Sequence, residues 1–285
     1  MAQQLGLVVH PTRSLDTVLE STAAWAHAHG ANVGQVRIPG LTRQVADPVD
    51  PADCEILLSL GGDGTALRAL RAGAPAKRPV LGIACGSVGV LTSVTGDHVA
   101  WALDQFAEGR WSARAVPGLA IASSDGPVEV VINDMTLIRD GPGQVVIAIT
   151  VDDVLYVRVA GDGVVVATAL GSSAYSMAAG GPILAPGVEG MVVTPLAPHG
   201  GSAPPLVTGP SSTLRLEVEE TYSRVRYDVD GRSMPRPGDV LTVHYEPEYA
   251  VLVELSDQDS RLAGLRQRGL VRDGPRVLVR DRRVE

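Results

Sequence analysis

The chain has 285 residues, 45% of them hydrophobic and 20% charged, so it reads as a folded globular protein long enough for two domains. With 24 Lys+Arg against 32 Asp+Glu the formal net charge is −8, which gives no general field for nucleic acid or an anionic membrane surface. Lys77 is the sole lysine, in a loop-like AlaProAlaLysArgPro stretch with no GxxxxGK[ST] around it. That argues against a P-loop NTPase, a protein kinase with a strand lysine, and a lysine Schiff-base enzyme.

The N-terminus has no basic leader region, and no apolar run approaches the ~20 residues of a membrane span, so the expected location is the cytoplasm. Residues 5–9 form a short apolar strand, and 15–29 carry a helical pattern through Leu15, Val18, Leu19 and Trp25. A proline-broken connection at 47–52 leads to a strand at 55–60, the segment GlyGlyAspGlyThr, and a helix at 66–72. A strand at 79–84 then runs into GlySerValGly, and 97–107 is helical again. Apolar strands alternating with helices predict an α/β domain over residues 1–114 with a doubly wound parallel sheet. Cys54 and Cys85, inside apolar runs, read as small buried hydrophobes, and Trp25, Trp101, Phe106 and Trp111 as core.

Within that domain, LeuSerLeuGlyGlyAspGlyThrAlaLeuArg (58–68) carries the most chemistry. A buried strand ending in two glycines turns tightly and brings N–H groups close to a ligand, while the next helix aims its unpaired N–H groups at the same point. Asp63 conflicts with a bare phosphate site, since carboxylate repels phosphate. The conflict is removed if Mg²⁺ bridges the two, or if Asp63 accepts a proton from an attacking hydroxyl. Both belong to phosphoryl transfer, with Arg68 one turn further along and placed for a phosphate oxygen. The bland alternative is an ordinary turn in which Asp63 caps the helix.

From about 115 the texture changes to short strands at 128–139, 144–151, 154–159, 164–168, 190–194, 213–218, 225–229 and 240–244, giving a mostly β domain over 115–256. Inside it, residues 161–182 repeat the first logic: a strand ends in GlySerSer, a short helix holds Tyr175, and GlyGlyPro stops it. Ser172 and Ser173 offer hydroxyls and N–H groups at a helix start. Tyr175 is core or a stacking platform, and Asp162 a turn residue or a hydroxyl-binding carboxylate. The segment 257–269 reads as helical, within an arginine-rich tail spanning 257–285.

Taken in order, these motifs resemble the NAD kinase family over nearly the whole chain. GlyGlyAspGlyThr (61–65) is similar to its diphosphate loop, a motif shared with diacylglycerol kinases, sphingosine kinases and phosphofructokinases. GlySerValGlyValLeuThr (86–92) resembles GxLGFLT, and Asn133–Asp134 resembles its Asn-Glu pair. Asp162–Gly163, GlySerSerAlaTyr (171–175), AlaGlyGlyPro (179–182), ThrProLeuAlaProHis (194–199) and Asp230–Gly231 resemble further landmarks, and 261–266 the closing helix.

The resemblance implies a nucleotide site in the interdomain cleft, a terminal helix returning to the first domain, and a homodimer or homotetramer. It implies transfer of the γ-phosphate of ATP, with Mg²⁺ or another divalent metal, to the adenosine-ribose 2′-hydroxyl of NAD. Asp63 would act as base, metal ligand or both, with Gly61, Gly62, Gly64, Thr65, Arg68 and Gly86 on the phosphate side. Asn133, Asp134, Asp162, Ser173, Ala174 and Tyr175 would bind the acceptor. Departures cluster at the acceptor: Val90 replaces an aromatic, Leu170 stands where a hydroxyl is expected, and Asp134 is one methylene short. A same-fold kinase with another adenosine-bearing acceptor or a specialised metabolite, and a nucleotide-binding homologue without turnover, are the competing expectations.

Overall fold

The computed structural model describes residues 3–92, 94–219, 224–255, 265–266 and 269–275. The chain divides into two compact units: Met1–Ala69 with Val80–Ser112 and Val253–Glu285, and Leu70–Pro79 with Ala113–Leu252.

The first unit is an α/β parallel-sheet domain. Its strands are β1 (Gln4–Val9), β2 (Asn32–Val36), β3 (Pro48–Val49), β4 (Ile56–Gly61), β5 (Pro79–Ala84) and β6 (Val94–Thr95). Its helices are α1 (Asp16–His29), α2 (Asp63–Gly73), whose last turn belongs to the second unit, and α3 (Val99–Ala107). The strands lie in the order β3-β2-β1-β4-β5, every neighbouring pair parallel. All six residues of β4 are buried, as an inner parallel strand covered on both faces must be, which is why ≈ its whole length is apolar. Helix α1 buries Val18, Thr22, Trp25 and Ala26 on one face and stops at Gly30, whose φ of 65° suits a left-handed cap. Trp25 is buried and Trp111 stacks on Phe106 at 5.1 Å, but Trp101 is 43% exposed on α3, so it is not core. Cys54 is buried just ahead of β4, and Cys85 is half-buried just past β5, both beside rather than inside the strands.

Chain order reverses between β1 and β4: successive connections run outward from β1 in one direction and from β4 in the other. The carboxyl ends of strands at such a point leave a crevice suited to ligands. GlyGlyAspGly follows directly from the end of β4.

The second unit is mostly β, with strands β7 (Trp111–Ser123), β8 (Gly126–Val131), β9 (Asp134–Asp140), β10 (Val145–Val151), β11 (Val154–Gly161) and β12 (Gly163–Thr168). The one-turn helix α4 (Tyr175–Ala178) follows, then β13 (Met191–Leu196), β14 (Leu206–Thr208), β15 (Thr213–Glu219), β16 (Arg224–Val229), β17 (Arg232–Met234) and β18 (Val240–Leu255). One antiparallel sheet has the order β14-β13-β12-β9-β16-β17; in the other, β11, β10, β15 and β18 are successive neighbours. A single core of inward side chains from both, including Leu137, Val164, Val166, Ile147 and Leu216, joins them.

The expected strand over 128–139 is two strands, parted at Ile132–Asn133. β2 and β7 were not expected, and β18 continues eleven residues beyond the expected end at 244. The terminal helix expected over 257–269 and its return to the first domain lie mainly outside the described residues. Among the described residues no helix is long and apolar enough to cross a membrane.

Candidate active site

In the first unit, α2 begins at Asp63, two residues after β4 ends, so its leading N–H groups have no carbonyl of their own helix to bond. The turn is closed by Thr65 and Ala66 N–H donating to the Gly62 carbonyl at 2.8 and 3.0 Å. Gly61 is needed for closeness: a Cβ there would sit 2.3 Å from Thr65 Oγ1. Thr65 is therefore 1% exposed, with its hydroxyl turned into the turn and its N–H already bonded, so it shapes the loop from inside. Gly62 and Arg68 are half-buried, and Gly64 is exposed.

Asp63 does something the sequence did not reveal. Its two carboxylate oxygens accept the N–H groups of Val90 and Leu91, both at 2.9 Å. The segment 86–92 is thus folded onto the carboxylate, and Gly89 is forced, because a Cβ there would lie 1.9 Å from Asp63 Oδ1. Val90 contributes here through its backbone. A carboxylate accepts at about four lone-pair sites, so two backbone bonds are compatible with its also accepting a hydroxyl proton.

Three further residues stand at the loop. Arg13, from the turn after β1, donates from Nη1 to the Cys85 carbonyl at 2.9 Å. That nitrogen lies 2.6 Å from where a Cβ on Gly86 would be and 3.8 Å from the corresponding point on Gly62. Arg43 donates to the carbonyls of His10 and Arg13 at 3.0 and 2.5 Å. His10 Nδ1 accepts the N–H groups of Thr12 and Arg13 at 3.2 and 3.1 Å. Burial, then the guanidinium groups of Arg13, Arg68 and Arg43, lower the His10 pKa and keep its ring neutral at pH 7. Only the proximity of distant segments assembles this group, and no local pattern marks it.

In the second unit, Asn133 and Asp134 sit where the chain breaks between β8 and β9. Asp230 explains the break. It occupies, with Gly231, a two-residue hairpin turn between β16 and β17 with φ of 46° and 72°, the Asp-Gly signature of a type I′ turn. Its buried carboxylate accepts the N–H of Ile132 at 3.2 Å and of Asn133 at 2.6 Å, and pairs with Arg71 Nη1 at 3.3 Å. On the other side Thr168 Oγ1 donates to the Ile132 carbonyl at 2.6 Å, and a Cβ on Gly171 would lie 2.0 Å from the Asn133 carbonyl. The Asn133 main chain is therefore gripped on both sides, while among the described residues its own buried Oδ1 has no hydrogen-bond partner. Asp134 is 7% exposed, and burial, then the neighbouring Asp230 charge, push its pKa up to about 7.

Asp162 and Tyr175 come together at the wall of a cavity of about 430 Å³, with Arg139, Ala179 and Leu196. Asp162 is paired with Arg139 at 2.5 Å, and Tyr175 is 41% exposed, so it is not core. Along the β9–β12 ladder Asp134 pairs with Ala167 and Ile138 with Gly163, so Asp134 and the Asp162–Gly163 end of the ladder are four residues, about 13 Å, apart along the strand. Ser173 is half-buried and its Oγ bonds the Leu170 carbonyl at 3.2 Å, with Ala174 exposed after it. Ser172 is fully buried: its Oγ donates to the Ala169 carbonyl and accepts the Leu184 N–H, so it builds the turn and is no ligand hydroxyl. Leu170 is likewise buried.

Comparison with known proteins agrees with this division. Residues 6–111 match the model of the ATP-NAD kinase N-terminal domain and residues 132–255 that of the C-terminal domain. The NAD kinase of Symbiobacterium thermophilum is 35% identical over 251 residues, covering 83% of this chain and 86% of its own. Two solved structures share the fold. A yeast NADH kinase complexed with NADH has a TM-score of 0.79 and 22% identity, covering 96% of this chain and 89% of its own. An Archaeoglobus fulgidus NAD kinase in complex with ATP has a TM-score of 0.73 and 23% identity, with 93% and 98% covered. Both family domains being present in order, with identity sustained over most of the length, the chain belongs to the NAD kinase family.

Proposed function

We infer that the protein transfers the γ-phosphate of ATP to the adenosine-ribose 2′-hydroxyl of NAD, giving NADP and ADP. The observation that carries this reading is Asp63: a carboxylate held by two backbone N–H groups at the head of α2, beside a glycine turn at the reversal point of a parallel sheet. That arrangement supports phosphate by N–H groups and helix dipole while presenting a proton acceptor to the incoming hydroxyl. In the step, Asp63 takes the proton of the 2′-hydroxyl as its oxygen bonds the γ-phosphorus. The bond from that phosphorus to the β,γ-bridging oxygen breaks, and ADP leaves with the electron pair.

Gly61, Gly62 and Gly64 let the backbone approach the phosphates, Gly86 keeps the facing turn open, and Arg68 supplies charge. On the acceptor side Asn133, with its buried unpartnered Oδ1, suits a donor group of the ligand, and Asp134 suits ribose hydroxyls. Asp162 and Tyr175, with Ser173 and Ala174 beside them, form the second acceptor wall. The chain divides its labour accordingly, residues 1–114 handling the donor and 115–256 the acceptor, and it works as a homodimer or homotetramer.

Among the described residues no three His, Cys, Asp or Glu side chains gather as a metal cage. That fits Mg²⁺, which commonly binds through one or two carboxylates together with substrate phosphates. Asp63 is the carboxylate placed to share in holding it. When bound with ATP, Mg²⁺ neutralises charge on the β- and γ-oxygens.

The test is to incubate the protein with NAD, ATP and Mg²⁺ and read NADP with an NADP-specific dehydrogenase. NADP and ADP in equal amounts support the reading. ADP without NADP, or neither product, overturns it.

A further inference from the structure

In the second unit, Asp230 bonds three consecutive residues of the acceptor segment. Its carboxylate accepts the N–H groups of Ile132 and Asn133, and its own N–H donates to the Asp134 carbonyl at 2.9 Å. The Asp230 side chain is fully buried, so this grip puts a carboxylate away from water, where its charge needs an opposite one. Arg71 supplies it, with Nη1 3.3 Å from Asp230 Oδ2 and a side chain only 17% exposed. A further guanidinium nearby, that of Arg232, pairs with Glu129 at 3.3 Å, so the charge on Asp230 falls to Arg71. Asp134 stands beside the pair, and burial, then the Asp230 charge, push its carboxyl toward the neutral form.

The stretch of chain that presents Arg71 is itself tied down. Arg71 lies in the last turn of α2, the part of that helix that belongs to the second unit. Leu70 beside it is fully buried. Further along, Lys77, the one lysine of the chain, donates from Nζ to the Glu248 carbonyl on β18. The guanidinium therefore reaches Asp230 from a fixed element rather than from a loose tether.

We propose that Arg71 is a positioning residue for the acceptor: through Asp230 it fixes the break at Ile132–Asn133, and with it the Asn133 amide and the Asp134 carboxyl that meet the acceptor nucleotide. Arg71 acts through Asp230 and not by touching substrate. The proposal rests on the kinase reading above and adds to its acceptor side a residue that lies on the helix of the glycine turn. The physical reason is the asymmetry of buried ion pairs. Removing one partner leaves the other charge unpaired, which disturbs its surroundings more than replacing both partners with neutral groups. Without Arg71, the Asp230 carboxylate turns toward water or another donor, and the N–H groups of Ile132 and Asn133 lose their anchor.

The experiment measures kcat, KM for NAD and for ATP, and calorimetric NAD binding in the full chain and in four variants: Arg71→Met, Arg71→Lys, Asp230→Asn and Arg71→Met/Asp230→Asn. Arg71→Met keeps the apolar stem and removes the charge; it should raise KM and Kd for NAD at least about tenfold, with KM for ATP within about twofold. Arg71→Lys keeps a charge on a shorter reach and should cost about threefold, on NAD alone. In the Asp230→Asn background, adding Arg71→Met should cost less than about threefold, because the charge it answers is gone. Unchanged NAD affinity in Arg71→Met overturns the assignment. An equal rise in both KM values does so too, as does a tenfold loss that persists in the Asp230→Asn background. If Arg71→Met does not fold, Arg71→Lys decides: no rise in KM for NAD, or an equal rise for ATP, overturns the assignment. Wild-type protein that binds NAD but makes no NADP overturns the kinase reading alone, and Arg71 is then judged by NAD binding. Wild-type protein that neither binds nor phosphorylates NAD overturns both.

Discussion

Replacing Gly89 with alanine tests whether Asp63 must stay where the segment 86–92 holds it. The added Cβ would lie 1.9 Å from Asp63 Oδ1, 2.4 Å from its Cγ and 2.6 Å from Oδ2, so the methyl group meets the whole carboxylate. Cβ contacts under 3.0 Å are essentially never found, so carboxylate and segment must part by about 1.1 Å. Misplacing a reacting group by about 1 Å costs on the order of 10²-fold in rate, or about 2.7 kcal/mol of barrier. Gly89→Ala should therefore lower kcat about 10²-fold in the NADP-forming assay, with circular dichroism unchanged. The same substitution in an Asp63→Ala background should cost little more, since the group it displaces is gone. A normal kcat in Gly89→Ala, or an equal loss in both backgrounds, would refute the reasoning.

Two other positions give separate readouts. Asp134 has its pKa raised from 3.8 to about 7 in the folded chain, so the native state holds this proton more tightly than the unfolded state. Its contribution is fully present below about pH 4 and is lost as pH rises through about 7, by roughly 2–4 kcal/mol. Urea unfolding should show lower stability at pH 8 than at pH 5 from this group, and Asp134→Asn should flatten that slope; an unaltered slope counts against it. Gly171→Ala would push a Cβ to 2.0 Å from the Asn133 carbonyl, so the KM for NAD should rise about tenfold while that for ATP holds. A parallel rise in both KM values would contradict the assignment of this segment to the acceptor.

Local chemistry made the first unit's framework legible. The apolar β5 and β4, apolar but for Ser59, read as inner parallel strands, and the glycine turn after β4 carried its own signal. β2 was hidden because AsnValGlyGlnVal looks polar until Gln35 is seen spending its amide on the loop at 43–45. β7 and β18 were obscured by Pro117–Gly118 and by Glu246–Pro247–Glu248, breaker-rich stretches that antiparallel partners nevertheless accommodate. At the site, Asp63, Asn133 and Asp134 stood out by motif, but their supports did not. Asp230 is 97 residues from the Asn133 N–H it holds, and Arg13 is 72 from the Cys85 carbonyl. Such pairs are set by tertiary closeness, and single-sequence periodicity carries no trace of them. Thr65 and Ser172 show the converse: hydroxyl residues in a phosphate-like motif whose side chains are buried inside the turn, that of Ser172 bracing it through two hydrogen bonds.

In the proposed reaction Asp63 receives the proton of the acceptor hydroxyl. Single-turnover formation of NADP from saturating Mg²⁺-ATP and NAD, wild type against Asp63→Asn, measures it most directly, with ATP binding recorded alongside. ATP should bind with little change and the rate should fall by at least about 10²-fold, the lower end of general-base contributions. A rate near that of the wild type would contradict it.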